Sequence, residues 1–296
     1  MILSTTHSLT SAASVAPRRT PTGLSLAMPS VILLIVCFVF PLTWLLFKSL
    51  VGSQSGNIGL ENYATLLGSE TFYRILFNTF SIAAIVTVVS LLLGFPLAWL
   101  LAVLPRGWSA LVFGIVLLSM WTNLLARTYA WMVLLQSSGL INRALVGLGI
   151  IDAPLALVNN LVGVTIGMSY IMLPFIVLPL HATISAIDPS TLRAAALCGA
   201  NKRQVFIYVF LPSCMPGIAA GCLMVFVMSL GYFVTPSLLG SASNMMMAEY
   251  ISQLVQSMLD WGLGSAAAFI LLAITMVLYL LQLRLVDPLQ SSKVQR

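Results

Sequence analysis

The sequence predicts an all-α, polytopic membrane protein with six transmembrane helices. Three observations carry that reading. Of 296 residues, 60% are apolar and only 7% are charged, where soluble domains average roughly 45–50% and about 25%. Mean hydropathy is +1.06. The apolar residues also fall into separate runs, each close to or above the about 20 residues that cross a bilayer core as a helix. A soluble globular enzyme, a disordered chain and a disulfide-held scaffold are all excluded.

Taken in order, residues 1–28 are rich in Ser, Thr, Ala and Pro, carry Arg18 and Arg19, and lack the apolar core of a secretory signal. They read as a flexible cytoplasmic tail. The membrane domain is expected over 29–288, followed by a short cytoplasmic tail, 289–296. Its first span runs about Val31 to Leu50. The second, about Ile75 to Leu104, is interrupted by Gly94 and Pro96. The third, about Ala110 to Leu135, holds Asn123 and Arg127 in its second half. The fourth covers about Leu161 to Thr183, the fifth about Pro212 to Val234, and the sixth about Gly264 to Leu283. The second and third exceed the bilayer, so they tilt or project. Kinks are expected at Pro41, Pro96, Pro174, Pro179 and Pro216. Gly163 with Gly167, and Gly217 with Gly221, are small-residue pairs that let helices approach closely.

Charge sorts the loops. With the N-terminus inside, the inner segments hold nine basic residues, among them Arg106, Arg193, Lys202, Arg203 and Arg284, against Asp188 and Asp287. The outer segments hold Lys48, Arg74, Arg127 and Arg143 against Glu61, Glu70, Asp152, Glu249 and Asp260. Positive residues stay inside, so both termini are placed in the cytoplasm. The net charge of +6 is thus topological, with no nucleic-acid partner implied. Arg127 lies roughly 24 Å along a straight helix from Leu111, at about 1.5 Å per residue. That puts it at the outer interface, as an anchor or as a pathway residue.

Chemistry-bearing motifs are absent: no GxxxxGK[ST], HExxH or GxSxG occurs, and the histidines are His7 and His181. Cys37, Cys198, Cys214 and Cys222 form no CxxC and read as free thiols in packing positions. No metal site and no enzymatic activity of this chain are expected.

The segment Ile187 to Pro212 carries the functional signal. Asp188 is a good N-cap and Pro189 suits the first helical position. Ala194, Ala195 and Ala196 give a close-packing surface, and Gly199 can end the helix left-handed. Asn201 can cap a second short helix, with Gln204 placed for a capping box. Val205, Phe206, Val209 and Phe210 follow as an apolar stripe, and Pro212 closes the segment. The result is a rigid helix–turn–helix knob suited to docking on a soluble partner.

The spacing Ala194-Ala195, Gly199-Ala200, Gln204-Val205-Phe206 and Leu211-Pro212 resembles the EAA loop of permease subunits of binding-protein-dependent ABC importers. WTNLLARTYAWMVLL (Trp121 to Leu135), SGLINRAL (Ser138 to Leu145) and GYFVTPSLLG (Gly231 to Gly240) resemble the spermidine/putrescine permease group. The resemblance runs from about Pro29 to about Pro288. It implies a type I importer permease fold in a bacterial inner membrane, and a loop over 187–212 that seats on a cytoplasmic ATPase. It also implies a second permease subunit, two ATPase copies and a periplasmic solute-binding protein. ATP and Mg belong to the ATPase; this chain binds no cofactor. Arg193 departs from the pattern, which usually has Glu there, so the contact that Glu makes does not carry over.

A cationic solute would meet aromatic faces or acids along its path; Trp131, Tyr170, Tyr232, Glu249 and Asp260 are the candidates. Tyr250, Ile251, Leu254, Val255, Met258 and Leu259 recur at helical spacing and predict an amphipathic outer helix. The residues leave the solute open among polyamines, other amines, iron, amino-acid-like solutes and anions. A stand-alone transporter or channel is the competing reading. It would favour mid-bilayer ionisable groups or inverted repeats, which the sequence does not clearly show.

Overall fold

The computed structural model describes residues 22–53 and 56–291. Most of the two expected tails lies outside these. Two compact units divide at Leu45. The first, described from Thr22, is helical: α1 (Thr22–Leu34), a π-helical turn (Ile35–Val39) and the start of α2 (Phe40–Leu50). The apolar stretch Met28–Leu50 is long enough to cross a membrane.

The second unit holds the rest of the helices: α3 (Glu61–Leu67), α4 (Glu70–Val103), α5 (Arg106–Trp121), α6 (Leu124–Leu135), α7 (Leu140–Gly147), α8 (Leu161–Ser185), α9 (Pro189–Leu197) and α10 (Lys202–Val205). After a π turn (Phe206–Phe210) come α11 (Leu211–Leu230), α12 (Val234–Leu239), α13 (Met247–Gln256) and α14 (Trp261–Ser291). No strand occurs among the described residues. Five helices are long and apolar enough to span, and a bent pair makes a sixth.

That pair corrects the third span. The run is two helices, bent by 101° between α5 and the α6–α7 arm. Thr122 is extended, and Asn123 caps α6 by accepting from Leu125 N at 2.9 Å and Ala126 N at 3.3 Å. An N-cap ends the preceding helix as it starts the next, so the straight-rod distance assigned to Arg127 does not apply. The second span, by contrast, runs unbroken through Gly94 and Pro96 for 34 residues, about 51 Å at ~1.5 Å per residue.

The fifth span also differs. Helix is continuous from Lys202 to Leu230, so Asn201 caps a long span rather than a short helix, and Pro212 lies inside it. Both π turns explain how proline is accommodated. Phe40 N donates to Ile35 O, and Leu211 N to Phe206 O; each is the residue before a proline. Proline removes one amide donor and crowds the carbonyl four residues back. A five-residue step widens the turn and restores a partner for the neighbouring amide.

The second unit centres on α4, α8 and α11. Met168, Met172, Ile176 and Leu180, four apart on α8, are fully buried. In lipid, packing rather than water exclusion drives such association, and the glycines set its closeness. A Cβ on Gly94 would sit 2.7 Å from Ile176 Cγ2; one on Gly217 would sit 2.5 Å from Thr183 Oγ1 and 3.1 Å from Pro179 O. One on Gly221 would lie 3.3 Å from Ile176 Cα. Gly167 admits Leu239 and Thr235 of α12 in the same way.

A second buried cluster joins α3, the start of α4, α13 and α14 through Phe72, Ile75, Met247, Leu254 and Ala267. Thr79 Oγ1 accepts from Met247 N at 2.8 Å, and Asn78 Nδ2 donates to Ser243 O at 2.8 Å. The expected amphipathic helix is α13. It ends before Met258 and Leu259, which are exposed, with Leu259 at φ 57°.

Candidate functional site

The loop after α8 is built as its residues dictate. Asp188 accepts from Ser190 N at 2.9 Å and starts α9, with Pro189 in the first turn. Hydrogen bonds from the Ser190 hydroxyl and amide hold the Asp188 carboxyl below the usual carboxylate range. At the other end, Gly199 N donates to Ala196 O (3.1 Å) and Ala200 N to Ala195 O (3.2 Å), with Gly199 at φ 87°. These are the paired bonds of a Schellman cap. Asn201 and Gln204 form a reciprocal capping box, each amide donating to the other side chain at 2.9 Å.

Two capped ends make α9 a rigid projection, and most of it is bare. Arg193, Ala194, Ala196, Cys198 and Gly199 are exposed, Ala195 and Ala200 half-buried, and Leu197 is 89% exposed. Ala194 and Ala196 therefore do not pack within this chain; they line an outward surface. Leu192 and Ile187 face inward onto the core. Gln204 and Pro212 are exposed as well.

Phe206 and Phe210, on the span that follows the projection, pack against α4. Their rings stack at 5.5 Å, and Phe95 and Trp99 of α4 meet both at 6.3–6.5 Å. The sequence reading found the Phe206/Phe210 stripe but missed Phe95 and Trp99. The available signal was two aromatic pairs, each spaced four residues apart on a helix.

The five path candidates separate. Trp131 and Tyr170 meet edge to face at 5.4 Å. Tyr232 lines a cavity of about 170 Å³ with Arg127, Met120, Met172, Phe175 and Met228. Glu249 and Asp260 do not line it. Glu249 is half-buried on α13, where burial pushes its carboxyl up against the opposing effect of a Met246 backbone hydrogen bond. Asp260 accepts from Leu263 N at 2.9 Å and caps α14. Thr128 and Thr235, both buried, approach at 3.4 Å and join α6 to α12 beside the cavity. A larger cavity of about 600 Å³, between the end of α6 and the 156–159 segment, contains none of the candidates. The four cysteines are free, but only Cys214 is buried and Cys222 half-buried; Cys37 and Cys198 are exposed rather than packed. No cluster of metal-ligating side chains occurs among the described residues.

Residues 94–290 match the family described as the binding-protein-dependent transport system inner membrane component. The chain belongs to that family. It is a multi-pass inner-membrane permease component, and the matched region contains the α9 projection and the Arg127 cavity. A spermidine/putrescine transport system permease protein (PotB) of Salmonella typhimurium (strain LT2) is 39% identical over 222 residues, 75% of this chain and 77% of the relative. The Escherichia coli (strain K12) protein of the same name is 37% identical over 236 residues, 80% and 85% of the two chains. The fold is also that of a subunit in the crystal structure of a bacterial ABC transporter involved in the import of the acidic polysaccharide alginate. There the TM-score is 0.70 at 21% identity, covering 90% of this chain and 95% of that one.

Proposed function

We propose that this permease component forms the translocation path of an ATP-driven importer for polyamines of the spermidine and putrescine class. The observation that carries the coupling is α9: a doubly capped, exposed, apolar-tipped projection followed at once by a span whose Phe206 and Phe210 pack on Phe95 and Trp99 of α4. In this reading α9 docks on a cytoplasmic ATPase subunit. Closure of the ATPase dimer displaces α9, the rings pass the displacement to α4, and the Gly217/Gly221 seam moves α8 and α11 together. A second permease subunit, two ATPase copies and a periplasmic binding protein complete the assembly. The excess of basic residues on the α9 side supports a cytoplasmic position for that loop and both termini. The solute class is supported by the two permease relatives.

Isolation of the intact membrane complex, with mass spectrometry of partners and retained ligand, tests this. An ATPase, a second permease and a binding protein carrying a polyamine are the expected result. A lone chain that transports without an ATPase would overturn the importer reading. A different ligand on the binding protein would overturn the polyamine assignment alone.

A further inference from the structure

The cavity that α6, α8 and α11 enclose has an unusual charge. Among the residues around it, Arg127 and Tyr232 carry the polar groups, three methionines with Phe175, Leu124 and Ile171 make up the apolar wall, and no acid lines it. The Arg127 Nε is buried without a hydrogen-bond partner, and no carboxylate lies within ion-pair distance of the guanidinium among the described residues. A lysine so placed could shed its proton; a guanidinium cannot. The positive charge is therefore permanent, and an apolar wall strengthens its field. The volume of about 170 Å³ leaves room for several waters, so this is a slot a hydrated ion could enter. Arg127 lies on the bent helix pair that is apolar enough to span, and an ionisable group within a spanning segment is costly and marks a pathway.

A seat for a polyamine would be built the other way round, with acids. We propose that Arg127 is instead a cation barrier in the translocation path. It closes the resting path to inorganic cations and to free polyamine, as fixed positive groups do in other selective pores. The Coulomb energy scales with the charge of the intruder, so the barrier grows with valence and acts most strongly on the solute itself. Passage then requires Arg127 to leave the cavity. The break at Thr122–Asn123 supplies a joint one turn before it, on which α6 can swing relative to α5. The inference rests on the reading of this chain as the permease.

The test uses the assembled importer in liposomes, without ATP or binding protein, and follows leakage of rubidium ion, spermidine and neutral erythritol. Arg127→Gln should raise rubidium leakage about tenfold, and spermidine leakage by more because the logarithm of the effect scales with valence. Erythritol leakage should not change. Met120→Glu places a carboxylate in the same cavity with Arg127 intact. It should reproduce the leak, which keeps the test available if the Gln variant does not assemble. Unchanged rubidium leakage in an assembled Gln or Glu variant, or erythritol rising in step with rubidium, would overturn the barrier. Failure of the permease reading shows separately, as no ATP- and binding-protein-dependent uptake by the wild type.

Discussion

Gly199 separates two demands on the α9 projection, backbone conformation and partner contact. Its φ of 87° favours glycine, yet a Cβ built there meets nothing within 4 Å. Replacement by Ala therefore costs only the left-handed conformation, about 1–2 kcal/mol. The two cap bonds it threatens contribute about 0.5–1.5 kcal/mol each, so the cap loosens without collapsing. Asn tolerates this region and costs less. Trp carries a similar backbone penalty to Ala and starts from a Cβ with no neighbour within 4 Å, on a surface where Leu197 is 89% exposed. Any loss beyond the Ala variant must come from outside the chain. The assay is ATPase stimulation by loaded binding protein in the reconstituted importer, with retention of the ATPase subunit on gel filtration. The Asn variant should lie within about twofold of wild type and Ala within about tenfold, the equivalent of ~1.4 kcal/mol. Trp should fall well below both, with insertion intact. A Trp variant equal to the Ala variant would remove Gly199 from the docking surface and refute the reasoning.

The other expectations are shorter. Gly221→Leu must part α8 and α11 against Ile176 backbone, costing about 1–3 kcal/mol or more; Gly114→Leu, where a Cβ meets nothing, should leave the melting temperature in detergent unchanged. Asn201→Ala and Gln204→Ala should each weaken the α10 end by about 1 kcal/mol, but less than additively, because one reciprocal pair is broken either way; hydrogen exchange over 201–205 reads this. Trp99→Ala removes two ring contacts worth about 0.5–1.5 kcal/mol apiece and should lower stimulated ATPase while basal ATPase persists. Glu249 is held protonated to higher pH in the folded state than in the unfolded one, so stability should fall as pH rises from about 4.5, the ordinary glutamate value. Glu249→Gln should flatten that dependence in a thermal-shift series; an unaltered slope would assign it elsewhere.

What the sequence made legible follows from which forces are local. Caps are: Asp188, Gly199 and the Asn201/Gln204 box depend on atoms within a few residues, and each was readable. Small-residue seams were readable as pairs, though their targets, Thr183 and Ile176, were not, because partner choice is tertiary. Hydropathy counts apolar residues without registering direction, so the run containing Trp121 to Leu135 looked like one rod. The cue was there: Thr122 and Asn123 side by side in an apolar stretch, with Asn an N-cap type. The bend also hid the cavity that Arg127 lines. Pro212 misled in the opposite way, since the π turn before it lets helix continue where a plain rule ends it. Phe95 and Trp99 escaped because an aromatic pair in a spanning helix looks like any lipid-facing pair until its counterpart is folded against it.

The length of α4 has a mechanical consequence. Thr79 holds α13 near one end, and Trp99 holds the Phe206 and Phe210 rings of the fifth span 20 residues further on. At ~1.5 Å per residue that is about 30 Å, close to the thickness of a bilayer core. One unbroken rod is therefore gripped at two points a bilayer core's thickness apart. A rocking of roughly 5° about one grip carries the other through about 2.6 Å over that length, comparable to a side chain's breadth. In the proposed coupling the rod works as a crankshaft, carrying a small displacement at the Phe206 and Phe210 rings along α4 to the α13 contact.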